Sequence, residues 1–194
     1  MCELCWAAVR SAQAIDEHFN RSHAISRMTA VDAYEGRMKD IIHALKYDRR
    51  RSISPRLSAL MRERGQRVLN DADCVIPVPL HPRRQYRRGF NQAYDLALHL
   101  GPPVISLLAR VKYTRSQIDL PKHQRQENVR EAFAMIDRPP LRCGDGPLGP
   151  SIVVLVDDVS TTGATLESCA RVLKAAGVTE VRALTAARVV NARR

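Results

Sequence analysis

An α/β fold, a parallel sheet flanked by helices, is predicted by three observations. Continuous apolar runs of strand length occur at 74–79 (CVIPVP), 152–156 (IVVLV) and 181–186, and runs without polar alternation read as strands buried on both faces. Segments of helical period alternate with them, which argues for a parallel rather than an antiparallel sheet. The 194 residues suffice for one such domain with a solid core and one small appendage.

The elements follow in order. Residues 1–25 precede the apolar periodicity of a main domain at 33–190, and are expected to form a separate small module. They read C-x2-C-x3-V-x5-I-x2-H-x4-H, with Cys2, Cys5, His18 and His23 inside the ligand spacing of a Cys2His2 zinc site. Ser11 is placed to cap a helix carrying both histidines on one face. Segments 36–47 (GRMKDIIHALKY) and 53–64 have helical spacing, and 74–79 is a strand running into a proline-bordered turn. Residues 90–100 (FNQAYDLALHL) read as a helix ended by Gly101-Pro102-Pro103, and 104–111 is mixed apolar and compatible with a strand. Segment 112–126 is polar, basic and unpatterned, the profile of a long exposed loop of the kind that forms lids. Residues 128–135 read as helix, strand or both, and 138–150 is a Pro-Gly loop.

The most telling stretch is 152–165, IVVLVDDVSTTGAT. A buried strand delivers Asp157 and Asp158 to its carboxyl end, where open α/β sheets bind ligands. Small hydroxyl residues around one glycine then lead into a helix with Leu166, Cys169, Ala170 and Leu173 on its buried face, stopped by Gly177. Backbone amides at a helix start, with nearby hydroxyls, hold a phosphate without a lysine. The two carboxylates accept hydrogen bonds from vicinal ribose hydroxyls. The run therefore describes a cradle for a phosphorylated ribose. GxxxxGK[ST] is absent and no GxGxxG follows a strand, which excludes the commoner nucleotide signatures.

Composition sets the surroundings. The net charge is +11, from 31 Lys and Arg against 20 Asp and Glu, with a pI near 10.0, so an anionic partner is expected. The excess is mostly arginine, which suits bidentate phosphate contacts, and clusters at 49–51, 83–84, 87–88 and 112–130. No apolar run approaches the roughly 18 residues of a membrane span, and MCELCWAAVR lacks the regions of a signal peptide. No membrane insertion and a cytoplasmic location are the expectations. Five scattered cysteines argue against a secreted disulfide scaffold.

Taken together, AYEGRMKDIIHALKYDRRR, VIPVPLHPRRQYRRGFNQA, TRSQIDLPKHQRQENVREAF and VVLVDDVSTTGATLESCARVLKAAG resemble, in the same order, the ComF family of competence-associated phosphoribosyltransferase-like proteins. The resemblance spans about 33–188. The acidic pair and Thr-rich loop are specific to the superfamily, and PVPLHPRRxxxRGFNQA narrows it to ComF. It implies a type I phosphoribosyltransferase fold, a Rossmann-like parallel sheet with a hood and a flexible loop. It implies a site for phosphoribosyl pyrophosphate (PRPP), with phosphoribosyl transfer and release of pyrophosphate. Asp157 and Asp158 would be the catalytic ribose carboxylates and would hold magnesium, in part through water. Ser160, Thr161, Thr162, Gly163, Ala164 and Thr165 would take the 5-phosphate. Pro77, Val78, Pro79 and Leu80 would form the pyrophosphate loop, with Arg83, Arg84, Arg87 and Arg88 beside it. Arg115, Lys122 and Arg125 would come from the flexible loop, and Lys46 would reach the phosphates. His81 and His123 are candidates for proton transfer, or simply exposed loop histidines.

ComF proteins often carry an amino-terminal zinc ribbon of cysteine pairs. This chain lacks the second CxxC, so two readings stand: His18 and His23 substitute, or the ribbon is degraded and binds nothing. Nothing in the sequence specifies the acceptor. The alternative function is a single-stranded-DNA-binding accessory of competence and DNA uptake that keeps the PRPP site, with DNA or an uptake helicase as partner. Tyr47, Tyr86, Phe90 and Tyr113 lie among arginines, as stacking platforms for single strands do. A PRPP-sensing regulator is a third reading, and a homodimer a further expectation.

Overall fold

The computed structural model describes residues 2–48, 50–111, 132–136 and 151–190. In chain order its elements are α1 (Glu3–Ser11), β1 (Ile15–His18), β2 (Arg27–Ala33), α2 (Gly36–Tyr47), α3 (Ser54–Arg64), α4 (Gln66–Leu69) and β3 (Cys74–Pro77). There follow α5 (Pro82–Arg88), α6 (Gln92–Ala97), β4 (Leu108–Arg110), β5 (Phe133–Met135), β6 (Ile152–Ser160), α7 (Ala164–Ala175) and β7 (Glu180–Arg188). The main sheet has the order β1-β2-β7-β6-β3. β2, β7, β6 and β3 are mutually parallel, and β1 closes one edge antiparallel to β2. β4 and β5 form a separate antiparallel pair.

The expected strand at 152–156 is nine residues long. Its last partner on β3 is Pro77, opposite Val156, whereas pairing with β7 continues from Asp157↔Thr185 to Ser160↔Arg188. β3 thus leaves the sheet where the acidic pair begins. A crevice opens there beside 157–160, the position at which parallel sheets bind ligands.

Helices cover both faces, as an unbroken apolar strand demands. Val154 and Val156 of β6 belong to a core shared with Ile41, Leu45, Leu57 and Leu96 from α2, α3 and α6. Val153 and Leu155 belong to the opposite core, with Leu166, Cys169, Ala170 and Leu173 of α7. Each fully buried aliphatic side chain contributes about 1.5–3 kcal/mol of hydrophobic stabilisation. Because side chains alternate along a strand, Asp158 continues the first face and Asp157 the second.

Several expectations change. The amino-terminal residues are not a separate module: Trp6 and Val9 of α1 are buried in the first core, and β1 is a strand of the main sheet. His18 lies on that strand and Ser11 ends α1, so no helix carries both histidines. The 90–100 helix is shorter, starting where the Asn91 side chain accepts from the Ala93 amide at 3.1 Å. The segment after the Pro77–Leu80 turn, to which the sequence reading assigns no element, is helix α5. His81 caps it by accepting from the Arg83 amide, Pro82 fills its first turn, and Gly89 (φ 82°) ends it. The lid segment 112–126, with Arg115, Lys122, His123 and Arg125, and the loop 138–150 lie outside the described residues.

Candidate functional site

A cavity of about 620 Å³ lies in the crevice. Its walls are the end of α2, the 78–80 turn, α5, the start of α6, the end of β6 and the start of α7. It gathers Lys46, Arg83, Arg84, Arg87, Arg88 and Arg110 against Asp157 and Asp158. Among the described residues, six cations face two carboxylates here, which makes it a receptacle for a polyanion.

At its floor, strand alternation separates the two acids. Asp158, on the α2 side, accepts from the Lys46 ammonium at 2.9 Å, with side chains only 10% and 15% exposed. Burial alone would depress the Lys46 pKa, but the Asp158 carboxylate and then that of Asp157 hold it above the ordinary value. Lys46 thus pairs with an acid while it also lines the cavity. Asp157, on the α7 side, is pushed up to about 7, first by burial and then by the like charge of Asp158. Its own Oδ1 accepts from the Asp158 amide at 2.8 Å. Behind it, burial and the Asp157 charge raise the Cys169 thiol well above its usual value, so this cysteine is a packing residue rather than a nucleophile.

The α7 end of the cavity is lined by Ser160, Thr161, Gly163, Ala164 and Thr165. Gly163 has φ +78° at the N-cap, a conformation that favours glycine. Thr162 is not a lining residue; its hydroxyl accepts from the Ala164 amide at 3.4 Å and shapes the turn.

The opposite wall differs in its donors. The 77–80 turn has little amide capacity, because Pro77 and Pro79 have no N–H and the Val78 amide donates to Val156 O at 2.9 Å. The anion-binding capacity of this wall is therefore guanidinium. The turn is held from behind by Asn91, whose Nδ2 donates to Val78 O at 3.0 Å. Arg88 donates to Gln92 Oε1 at 3.0 Å and lies 5.7 Å from the Tyr47 ring centroid. His81 Nδ1 accepts from the Arg83 amide at 3.2 Å, which requires an unprotonated nitrogen. Desolvation and the charges of Arg110, Arg83 and Arg84 lower its pKa in agreement.

Sequence reasoning missed Tyr34, Asn91, Gln92 and Arg110 as lining residues. Asn91 was signalled by its position before an apolar helix, as an N-cap. Arg110 is brought in by the β4–β5 pair, where it stacks 5.3 Å from Phe133, a non-local contact without a local signature. Arg51, from the 49–51 cluster, is structural: it makes a bidentate pair with buried Asp95 at 2.6 and 2.8 Å.

The proposed zinc ligands do not converge. Cys2 and Cys5 sulfurs are 3.5 Å apart, but His18 is exposed on β1 and His23 lies 3.9 Å from Glu167. Among the described residues no three His, Cys, Asp or Glu side chains form a metal-holding group, so the donor set does not fit zinc. A magnesium ion fits differently, since it needs only one or two carboxylates, with ligand oxygens and water completing its shell; Asp157 and Asp158 meet that requirement. Among the described residues no helix is long and apolar enough to cross a membrane.

Residues 87–193 match the family model described as phosphoribosyl transferase domain. The chain is 36% identical over 115 residues to Competence protein F of Haemophilus influenzae, covering 57% of this chain and 48% of that protein. It is 32% identical over 166 residues to DNA utilization protein YhgH of Salmonella typhimurium, covering 80% and 69%. It thus spans about half the length of the first relative and about two thirds of the second. Among solved structures, the allosteric regulatory enzyme of purine biosynthesis aligns with a TM-score of 0.41 and 24% identity, over 69% of this chain and 26% of that one.

Proposed function

Because the chain belongs to the ComF family of phosphoribosyl transferase domain proteins, we propose that it binds PRPP and transfers its phosphoribosyl group to an acceptor, releasing pyrophosphate. One observation carries this reading. A single cavity holds an acidic pair, a Ser/Thr/Gly turn at a helix N-terminus and an arginine wall, a set that would suit the ribose, 5-phosphate and pyrophosphate of PRPP.

The 5-phosphate is taken by the α7 turn, where amides and hydroxyls donate to it and the helix dipole favours its charge. Asp157 accepts from the ribose hydroxyls, while Asp158, held by Lys46, fixes the floor beside it. The pyrophosphate lies against Arg83, Arg84, Arg87 and Arg88. In the reaction the bond from the anomeric carbon to the pyrophosphate oxygen breaks, its electron pair leaving with pyrophosphate. The acceptor's lone pair forms the new bond to that carbon, and the acceptor then gives up its proton. Guanidiniums that bind the leaving group more tightly as its charge grows lower this barrier. Asp157 and Asp158 would hold magnesium, in part through water, and the ion would then supply further neutralisation of the diphosphate.

The test is pyrophosphate release from PRPP across a panel of bases and amines, with PRPP binding followed by calorimetry. Binding with turnover for one acceptor is expected. A folded protein that does not bind PRPP with magnesium would sink the reading.

A second reading has its own support. α5 buries no residue, and Tyr86 is 90% exposed on it between Arg83–Arg84 and Arg87–Arg88. An aromatic ring flanked by guanidiniums on an open helix suits single-stranded DNA, in keeping with relatives named for competence and DNA utilization.

A further inference from the structure

We infer that Arg188 is a positioning residue for the sugar-phosphate end of the cavity: held by Glu17, it fixes the Ser160 hydroxyl as a hydrogen-bond donor towards the phosphate. The inference rests on the phosphoribosyl reading and assigns a role to two residues outside the cavity lining.

Arg188 ends β7, directly opposite Ser160 in the register of β6. Its Nη1 donates to Ser160 Oγ at 3.0 Å, and its Nε pairs with the Glu17 carboxylate. The guanidinium is 17% exposed and the carboxylate 28%. Nη1 also lies 4.0 Å from where a β-carbon on Gly163 would stand, so the cation sits behind the phosphate turn itself. Backbone bonds lock its position: Val189 N donates to Ser160 O at 2.9 Å, and Tyr34 N to Arg188 O at 2.7 Å.

The direction of these bonds sets the chemistry. A guanidinium has donors and no acceptor, so in its bond with Ser160 the serine oxygen must accept. The serine proton is thereby left to donate elsewhere, and Ser160 lines the cavity. A phosphate dianion offers acceptors only. The chain therefore has one polarity throughout: carboxylate accepting from guanidinium, guanidinium donating to hydroxyl, hydroxyl donating to phosphate. Such chains strengthen link by link through polarisation. The α7 turn contains no lysine or arginine, so Arg188 is also the cation behind the turn, while the α5 arginines stand on the opposite wall. Glu17 comes from edge strand β1, which makes the amino-terminal segment a support of the phosphate end.

The test separates the two ends of the cavity with two probes, ribose 5-phosphate and pyrophosphate with magnesium, each titrated calorimetrically into folded protein. Ser160→Ala and Arg188→Met are each expected to weaken ribose 5-phosphate about tenfold or more, the order of a hydrogen bond to a charged group, and to leave pyrophosphate unchanged. The double variant should be no weaker than the worse single one, and Ser160→Thr should retain affinity. Glu17→Gln should weaken ribose 5-phosphate less, with no effect once Ser160 is alanine. Should Arg188→Met fail to fold by circular dichroism, the Ser160→Ala and Ser160→Thr pair still decides. Additive losses, equal losses of both probes, or wild-type affinity in Ser160→Ala would overturn the inference while leaving the phosphoribosyl reading in place. Wild-type protein binding neither probe would overturn both.

Discussion

Lys46 and Asp158 are nearly withdrawn from solvent and rely on each other, so removing one strands the other's charge. Breaking a buried pair from one side costs roughly 3–5 kcal/mol. Lys46→Met is therefore expected to lower unfolding free energy by about that amount in urea denaturation, and adding Asp158→Asn should recover most of it. A loss below about 1 kcal/mol in the single variant would place the pair among weak surface bridges. Asp157 carries the opposite liability. Its pKa of about 7 lies above the ordinary 3.8, so between those values the native state keeps a proton that the unfolded chain has released. Asp157 then contributes stability below 3.8 that is lost as pH rises to about 7. Asp157→Asn does not ionise, so its melting temperature should match wild type near pH 4 and exceed it increasingly up to pH 8, in exchange for ribose affinity. A melting-temperature gap independent of pH would refute the charge argument.

At the scale of elements, α7 and its turn carry the cradle. Gly163 at φ +78° has room for a methyl group, with Arg188 Nη1 no closer than 4.0 Å, so any penalty there is conformational, about 1–2 kcal/mol for an L-residue in the left-handed region. Gly163→Ala should lose that much stability and weaken ribose 5-phosphate, whereas Ala164→Gly should lose about 1 kcal/mol of helix propensity and keep the ligand. Equal ligand affinities in the two variants would place the phosphate elsewhere. α7 was legible because Leu166, Cys169, Ala170 and Leu173 repeat at helical spacing and all are buried; β6 was legible because four successive residues are buried in opposite cores. α5 was not, since PRRQYRR buries nothing and has no apolar period to read. Its signals were caps, His81, Pro82 and Gly89. The amino-terminal Cys and His residues misled for a related reason: spacing alone cannot say whether Ile15–His18 continues a helix or pairs as an edge strand.

For the whole molecule the governing quantity is charge, +11 in all, with six cations among the described residues concentrated around one cavity. Two polyanions directed to the same guanidiniums compete. Single-stranded DNA is predicted to bind weakly, to lose affinity steeply with salt as counterions are released, and to be displaced by PRPP with magnesium. Arg87→Ala with Arg88→Ala should weaken both, as read by fluorescence anisotropy of a labelled oligonucleotide. DNA affinity indifferent to PRPP and to these arginines would divide the surfaces.

The alternation of β6 has one more consequence. Asp157 and Asp158 differ in chemistry only because one turns toward α7 and the other toward α2, and adjacency along the strand is all that assigns them. A slip of β6 by one residue against β7 would exchange the layers the two carboxylates face, presenting the lysine with the wrong acid. Hydrogen-bond register, ordinarily a matter of folding, is here a chemical variable. An insertion or deletion of one residue between Ile152 and Asp157 is then destructive, because it would leave a well-paired sheet with its two acids transposed.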